Sequence, residues 1–91
     1  MSASEVAYLS NPAPAYPPRA LRAGQQGRVL VFVLIDTAGR PAQVSVSKSS
    51  GHALLDEAAL SAVRGWRFRP QTENGSAIAV QVTIPVDFRI Q

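Results

Sequence analysis

The stretch Ile78-Ala-Val-Gln-Val-Thr-Ile-Pro-Val-Asp-Phe-Arg-Ile90 decides the fold. Apolar side chains stand at Ile78, Val80, Val82, Ile84, Val86, Phe88 and Ile90, with Ala79, Gln81, Thr83, Pro85, Asp87 and Arg89 between them. A period of two sends the two sets to opposite faces of an extended chain, so this is a long strand with one wet face. Pro85 has no N–H to give a neighbour, which assigns the strand to a sheet edge. Upstream, Leu55, Ala58, Ala59, Ala62, Val63 and Trp66 recur at helical spacing and form an apolar stripe about three turns long. Ser49 or Ser50 is placed to cap this helix. Asp56 and Glu57 lie near its positive end, Arg64 and Arg67 lie near its negative end, and Pro70 stops it. Residues 72–76 read as a loop.

Two further strands precede the helix. Gly27–Asp36 is β-branched and aromatic, Asp36–Pro41 carries turn chemistry, and Ala42–Ser49 alternates Val44 and Val46 with polar residues. These two form a hairpin. A right-handed crossover through the helix then leaves the first strand in the middle. The expected fold is α+β and two-layered: a three-stranded antiparallel sheet in the order second, first, third, with one main amphipathic helix. A short N-terminal helix, Pro18–Ala23, is ended by Gly24, which makes the element order α-β-β-α-β. Residues 1–17 read as a Pro-rich extended arm and 18–91 as the domain. Tyr8, Leu9 and Tyr16 are too apolar for a spacer, so the arm is expected to dock. In the first strand Val29, Val31, Val33 and Ile35 face the helix, which leaves Leu30, Phe32 and Leu34 on the other side. The arm or the short helix is expected to cover them; the alternative is a dimer or partner surface.

Composition excludes much of the rest. A chain of 91 residues with 46% apolar and 16% charged residues is one small folded domain. Without cysteine, and with a single histidine, it has no disulfide and no ligand cluster for zinc. A net charge of +3 is well below that of a dedicated nucleic-acid binder. No apolar run is long enough to span a membrane, and the first residues do not spell a signal peptide, so the chain is cytosolic or a piece of a longer, targeted one. His52, Asp56 and a serine suggest a hydrolase, but the G-x-S-x-G elbow is absent and Ser49-Ser50-Gly51 reads better as a helix start. The adjacent Asp56 and Glu57 point apart, and the glycines spell no phosphate loop. No catalytic, metal or cofactor site is expected. Arg64, Arg67 and Arg69 around Trp66 and Phe68 offer a nucleic-acid reading, against which Trp66 continues the core stripe. What remains is an interaction module whose edge strand accepts an extended peptide by strand addition.

The segments, taken together, resemble the C-terminal domain of the TonB family of bacterial energy transducers. The carrying pieces are Tyr8-Leu9-x-Asn11-Pro12-x-Pro14-x-Tyr16-Pro17, then Ala20 ahead of Gly27-x-Val29-x-Val31, and Gly39 in the hairpin. They continue with Val46-x-x-Ser49-Ser50-Gly51, Leu55-Asp56-x-Ala58-Ala59, Ala62-x-x-x-Trp66-Arg67-Phe68-x-Pro70 and Ile84-Pro85-Val86-x-Phe88-x-Ile90. The resemblance implies a periplasmic domain, anchored to the inner membrane in the full-length protein, that works with ExbB and ExbD. It implies that the domain binds the Ton box of outer-membrane receptors and passes on a pull derived from the proton gradient, for uptake of siderophore, haem or cobalamin. The site it implies is the last strand, Val82, Thr83, Ile84, Pro85, Val86, Asp87, Phe88, Arg89 and Ile90. Pro14, Ala15, Tyr16, Pro17 and Arg19 would lie nearby, with Gln25 and Gln26 as weaker candidates. Bare edges also allow two copies to pair, so a homodimer stays open. Alternatives are a TolA-like periplasmic scaffold or peptide-binding domain and, behind it, a small basic nucleic-acid-binding domain.

Overall fold

The computed structural model describes residues 1–91. Its central strand β2 (Gly27–Ile35) pairs on one side with β3 (Pro41–Lys48) and on the other with β7 (Val80–Phe88), both antiparallel. The order β3-β2-β7 is the one expected, with the last strand at an edge. The helix α2 (Ala53–Arg64) crosses one face of this sheet. Val29, Val31, Val33 and Ile35 of β2, Val82, Ile84, Val86 and Phe88 of β7, and Leu55, Ala59 and Val63 of α2 close the core between them. The two-residue period of the strands and the helical period of α2 meet there, and the core contains no buried polar residue.

The long strand expected over 78–90 is divided. Ser76–Ile78 (β6) turns back on Gln71–Glu73 (β5) through Asn74 and Gly75, both at positive φ. The loop expected over 72–76 is therefore a hairpin, of the kind an Asn-Gly pair favours. Alternation continued through Ile78, so periodicity alone could not separate the two strands. At the other end β7 stops at Phe88, and Arg89 and Ile90 run past it.

The start of α2 also differs. His52 occupies the N-cap position and makes no side-chain cap. Asp56, from the first turn, instead receives the Ser50 N–H at 3.0 Å and the hydroxyls of both Ser49 and Ser50. Burial pushes the Asp56 carboxyl up, and these hydrogen bonds, with His52 nearby, outweigh it and hold the carboxyl below its usual range. The serine–aspartate pairing is thus a helix start, with Asp56 fully engaged in it.

Around this body the arm docks, on the helix side. The strand β1 (Tyr8–Ser10) pairs with β4 (Arg67–Phe68), and the Arg69 N–H reaches the Ala7 carbonyl at 2.9 Å. Tyr8 packs edge-on to Trp66 and tilted against Phe68, and Trp66 Nε1 donates to the Pro12 carbonyl at 2.9 Å. The short helix α1 (Pro18–Arg22) buries Ala20 in the same core and ends at Gly24, where φ is +70°. Arm and short helix therefore lie opposite Leu30, Phe32 and Leu34. Those three stay half-exposed on the open face of the sheet, and the expected cover is not there. The turn between β2 and β3 is held just as closely: the Phe68 N–H donates to the Gly39 carbonyl at 2.8 Å.

Candidate functional site: the outer edge of β7

Nine consecutive residues of β7 pair with β2 without a break in register, from Val80 opposite Ile35 to Phe88 opposite Gly27. A strand directs the N–H and C=O of successive residues to alternate sides, so only every second residue serves this ladder. The Gln81 carbonyl accepts the nitrogen of residue 1 at 3.1 Å, on the side away from β2. Strand alternation then turns Thr83, Pro85 and Asp87 outward as well, and Val82, Ile84, Val86 and Phe88 toward β2. Pro85 thus lies where its missing N–H costs the ladder nothing, opposite Leu30 in unbroken register. The same alternation sorts the side chains: Val82, Ile84, Val86 and Phe88 are buried against α2, while Thr83, Pro85 and Asp87 stand on the open face.

Asp87 is paired across the sheet. Its carboxylate takes two hydrogen bonds from the Arg28 guanidinium, at 2.7 and 3.0 Å, on the register pair Arg28–Asp87. The hydrogen bond from Arg28 holds the Asp87 carboxyl below its usual range, and the Arg28 guanidinium is correspondingly raised. Both side chains are well exposed, so this pair orients the strand end more than it stabilises the fold. Beyond Phe88, the Ile90 N–H donates to Gln26 Oε1 at 2.8 Å, which steers the tail across the end of β2. Gln26, Gly27, Arg28, Asp87, Phe88 and Arg89 together line an open cleft of about 370 Å³.

The remaining expected residues are spread out. Tyr16 stands edge-on to Phe88, with ring centroids 5.4 Å apart, and its hydroxyl donates to the Gln25 carbonyl; this anchors the Tyr16-Pro17 bend at the end of β7. Pro14 and Ala15 lie elsewhere, along a groove against Ala58, Ser61 and Ala62 of α2. Arg19 shares a third surface with Arg22, Ala23, Gln25 and Leu54. Arg28 was not singled out from sequence, and only its register opposite Asp87 reveals it. The basic cluster presents no stacking surface, because Trp66 and Phe68 are buried and the Arg67 guanidinium donates to the Trp66 carbonyl.

The family model for the Gram-negative bacterial TonB protein C-terminal matches residues 12–90. The chain belongs to the TonB C-terminal family. It is 43% identical over 83 residues to Protein tonB2 of Pseudomonas aeruginosa, covering 91% of this chain and 31% of that protein. To Protein TonB of Xanthomonas campestris pv. campestris it is 48% identical over 77 residues, which is 85% of this chain and 34% of that one. The solution NMR structure of the Pseudomonas aeruginosa TonB CTD superposes with a TM-score of 0.81 at 31% identity, over 100% of this chain and 94% of the other. The chain spans about a third of the length of the curated relatives it matches. Family membership makes this chain a periplasmic domain of the TonB type.

Proposed function

We propose that the outer edge of β7 takes up the Ton box of an outer-membrane receptor as an added strand, and that the whole protein, acting with ExbB and ExbD, passes a pull through it. The cargo is a siderophore, haem or cobalamin-type nutrient. The observation that carries this reading is the row of outward backbone groups on β7: Pro85 offers its carbonyl, and Asp87 offers both N–H and carbonyl. A guest strand gains main-chain hydrogen bonds worth ~1 kcal/mol net each, so its resting affinity is modest. The alternation of the edge splits its contacts at Pro85, whose missing N–H withholds one bond. Under load the bonds along one strand share the force, and rupture rate sets the lifetime of the grip.

The test is a chemical-shift map of the chain with a panel of receptor N-terminal peptides. Shifts gathered in residues 82–90, with Tyr16 and Pro17 following through Phe88, are expected. Shifts gathered on the α2 groove or the β3 edge instead would reject the site, and a panel that shifts nothing would reject the partner class.

A further inference from the structure

We propose that residues 1–5 are a displaceable internal cover that occupies the Gln81–Thr83 part of the β7 edge and competes with the guest peptide for it; this rests on the strand-addition reading above. Ser2 forms a parallel bridge with Thr83, and the nitrogen of residue 1 bonds the Gln81 carbonyl at 3.1 Å. A peptide N–H at that position, in a longer chain, would aim at the same carbonyl. These are the contacts an added strand makes, here supplied by the chain itself.

The cover is short by construction. The chain turns off the edge directly after the bridge, in a single 3-10 turn over Ala3–Glu5, where the Glu5 N–H returns to the Ser2 carbonyl at 3.1 Å. The Ser2 hydroxyl donates to Glu5 Oε1 at 2.9 Å and closes the same turn. Beyond it Val6 is buried in the core, at 8% exposure. The segment therefore has a firm root at Val6 and a light hold on the edge, since Ala3 alone is partly buried against the core and Ser2, Ser4 and Glu5 are exposed. Releasing it costs a few edge contacts and leaves the core intact.

This divides β7 into two parts. From Pro85 to Phe88 the edge is open. Over Gln81–Thr83 it is filled by residues 1–3, of which the one large side chain, Met1, is 45% exposed. A guest arriving at the open part pairs over a short length, bounded by Pro85 beside the cover. It extends its pairing to Thr83 and Gln81 only when Ser2 leaves. The cover also removes part of a bare apolar edge from the reach of other copies of the chain.

The chain has no cysteine, so Ser2→Cys with Thr83→Cys installs a single, reversible lock across the bridge. The probe is a ten-residue N-terminal peptide of a TonB-dependent receptor that shifts β7 resonances in the unmodified chain. The oxidised lock is expected to weaken its binding about fivefold for each bond denied, relative to the same variant reduced, and to confine shifts to residues 85–90. Deleting residues 1–5 is expected to tighten binding by a similar factor and to extend the shifts to Gln81 and Thr83. Without any peptide, the Thr83 amide should exchange more slowly than that of Asp87 in the intact chain, and as fast once residues 1–5 are gone. Equal exchange at both amides in the intact chain, or one affinity for locked, reduced and shortened chains alike, overturns the proposal. A Thr83 amide that is protected as expected, in a chain whose β7 no receptor peptide perturbs in any of the three forms, overturns the strand-addition reading and the competition with it, while leaving the cover.

Discussion

Substituting proline at two neighbouring positions of β7 tests which backbone groups face outward, and with them the whole placement of the site. Ile84 is opposite Val31 in register and directs its N–H into the ladder with β2. Ile84→Pro deletes that N–H and strands a carbonyl in the sheet interior, which costs about 1–3 kcal/mol. The lost packing of a side chain only 3% exposed, and the ring forced into a central ladder, bring the total to about 3–5 kcal/mol. Thr83 points its N–H the other way, as Pro85 already does, so Thr83→Pro should cost about 1 kcal/mol, mainly in strand propensity and the Ser2 bridge. For a domain whose whole stability is of order 5–13 kcal/mol, the two outcomes are far apart. Urea denaturation followed by Trp66 fluorescence measures both. At ~4–8 °C of melting temperature per kcal/mol, thermal melts should separate the variants by about 8 °C or more. Equal losses, or a larger loss from Thr83→Pro, would mean that the alternation has been assigned backwards and that the outward groups belong to Ile84 and Val86.

Other consequences are smaller in scope. Gly39→Ala should destabilise the fold by about 2 kcal/mol or more, because a Cβ there would sit 2.0 Å from the Phe68 carbonyl oxygen at a φ of +81°; a denaturant midpoint equal to that of the unmodified chain would refute the close approach. Trp66→Phe keeps most of the buried ring and removes the donor to Pro12, so a loss of about 1 kcal/mol should come with faster proteolysis within residues 7–14; unchanged cleavage there would show that this bond does not hold the arm. Asp56 has a folded pKa below its unfolded value near ~3.9, so its contribution is complete above that value and is lost as pH falls through the folded one. Asp56→Asn should therefore flatten the fall in stability below about pH 4, read from urea midpoints across pH, and an unchanged slope would refute the role of Asp56 at the start of α2.

The layout of sheet and helix was readable because each long element carries an unbroken period. Val29, Val31, Val33 and Ile35 alternate, the stripe from Leu55 to Val63 repeats at helical spacing, and Pro85 marks the edge. What sequence missed lies where local signals agree with two outcomes. The alternation running through Ile78 concealed the Asn74-Gly75 hairpin, and the serines before α2 carry cap chemistry whether they accept from the helix N–H groups or donate to the Asp56 carboxylate. The cover for Leu30, Phe32 and Leu34 was misplaced because apolarity says that a face seeks a partner, not which segment lies near it. Tertiary bonds far apart in sequence, such as Pro12 to Trp66 and Ala7 to Arg69, carry the arm to the opposite side. At the site, the strand and its proline were legible, whereas Arg28 and Ser2 become visible only when register sets them beside Asp87 and Thr83.

The arm is fastened at separated points: Ala7 to Arg69, Pro12 to Trp66, and Tyr16 to Gln25. Tension arriving from the N-terminal side would meet these fastenings in succession, as a zip is opened, and not all together. Drawn straight, Met1 to Tyr16 measures roughly 50–55 Å, longer than the 49 Å long axis of the entire folded chain. The arm is thus a reserve of tether laid along the body, able, once Ser2 has left Thr83, to lengthen the reach of the domain in steps before the β2–β7 ladder is loaded.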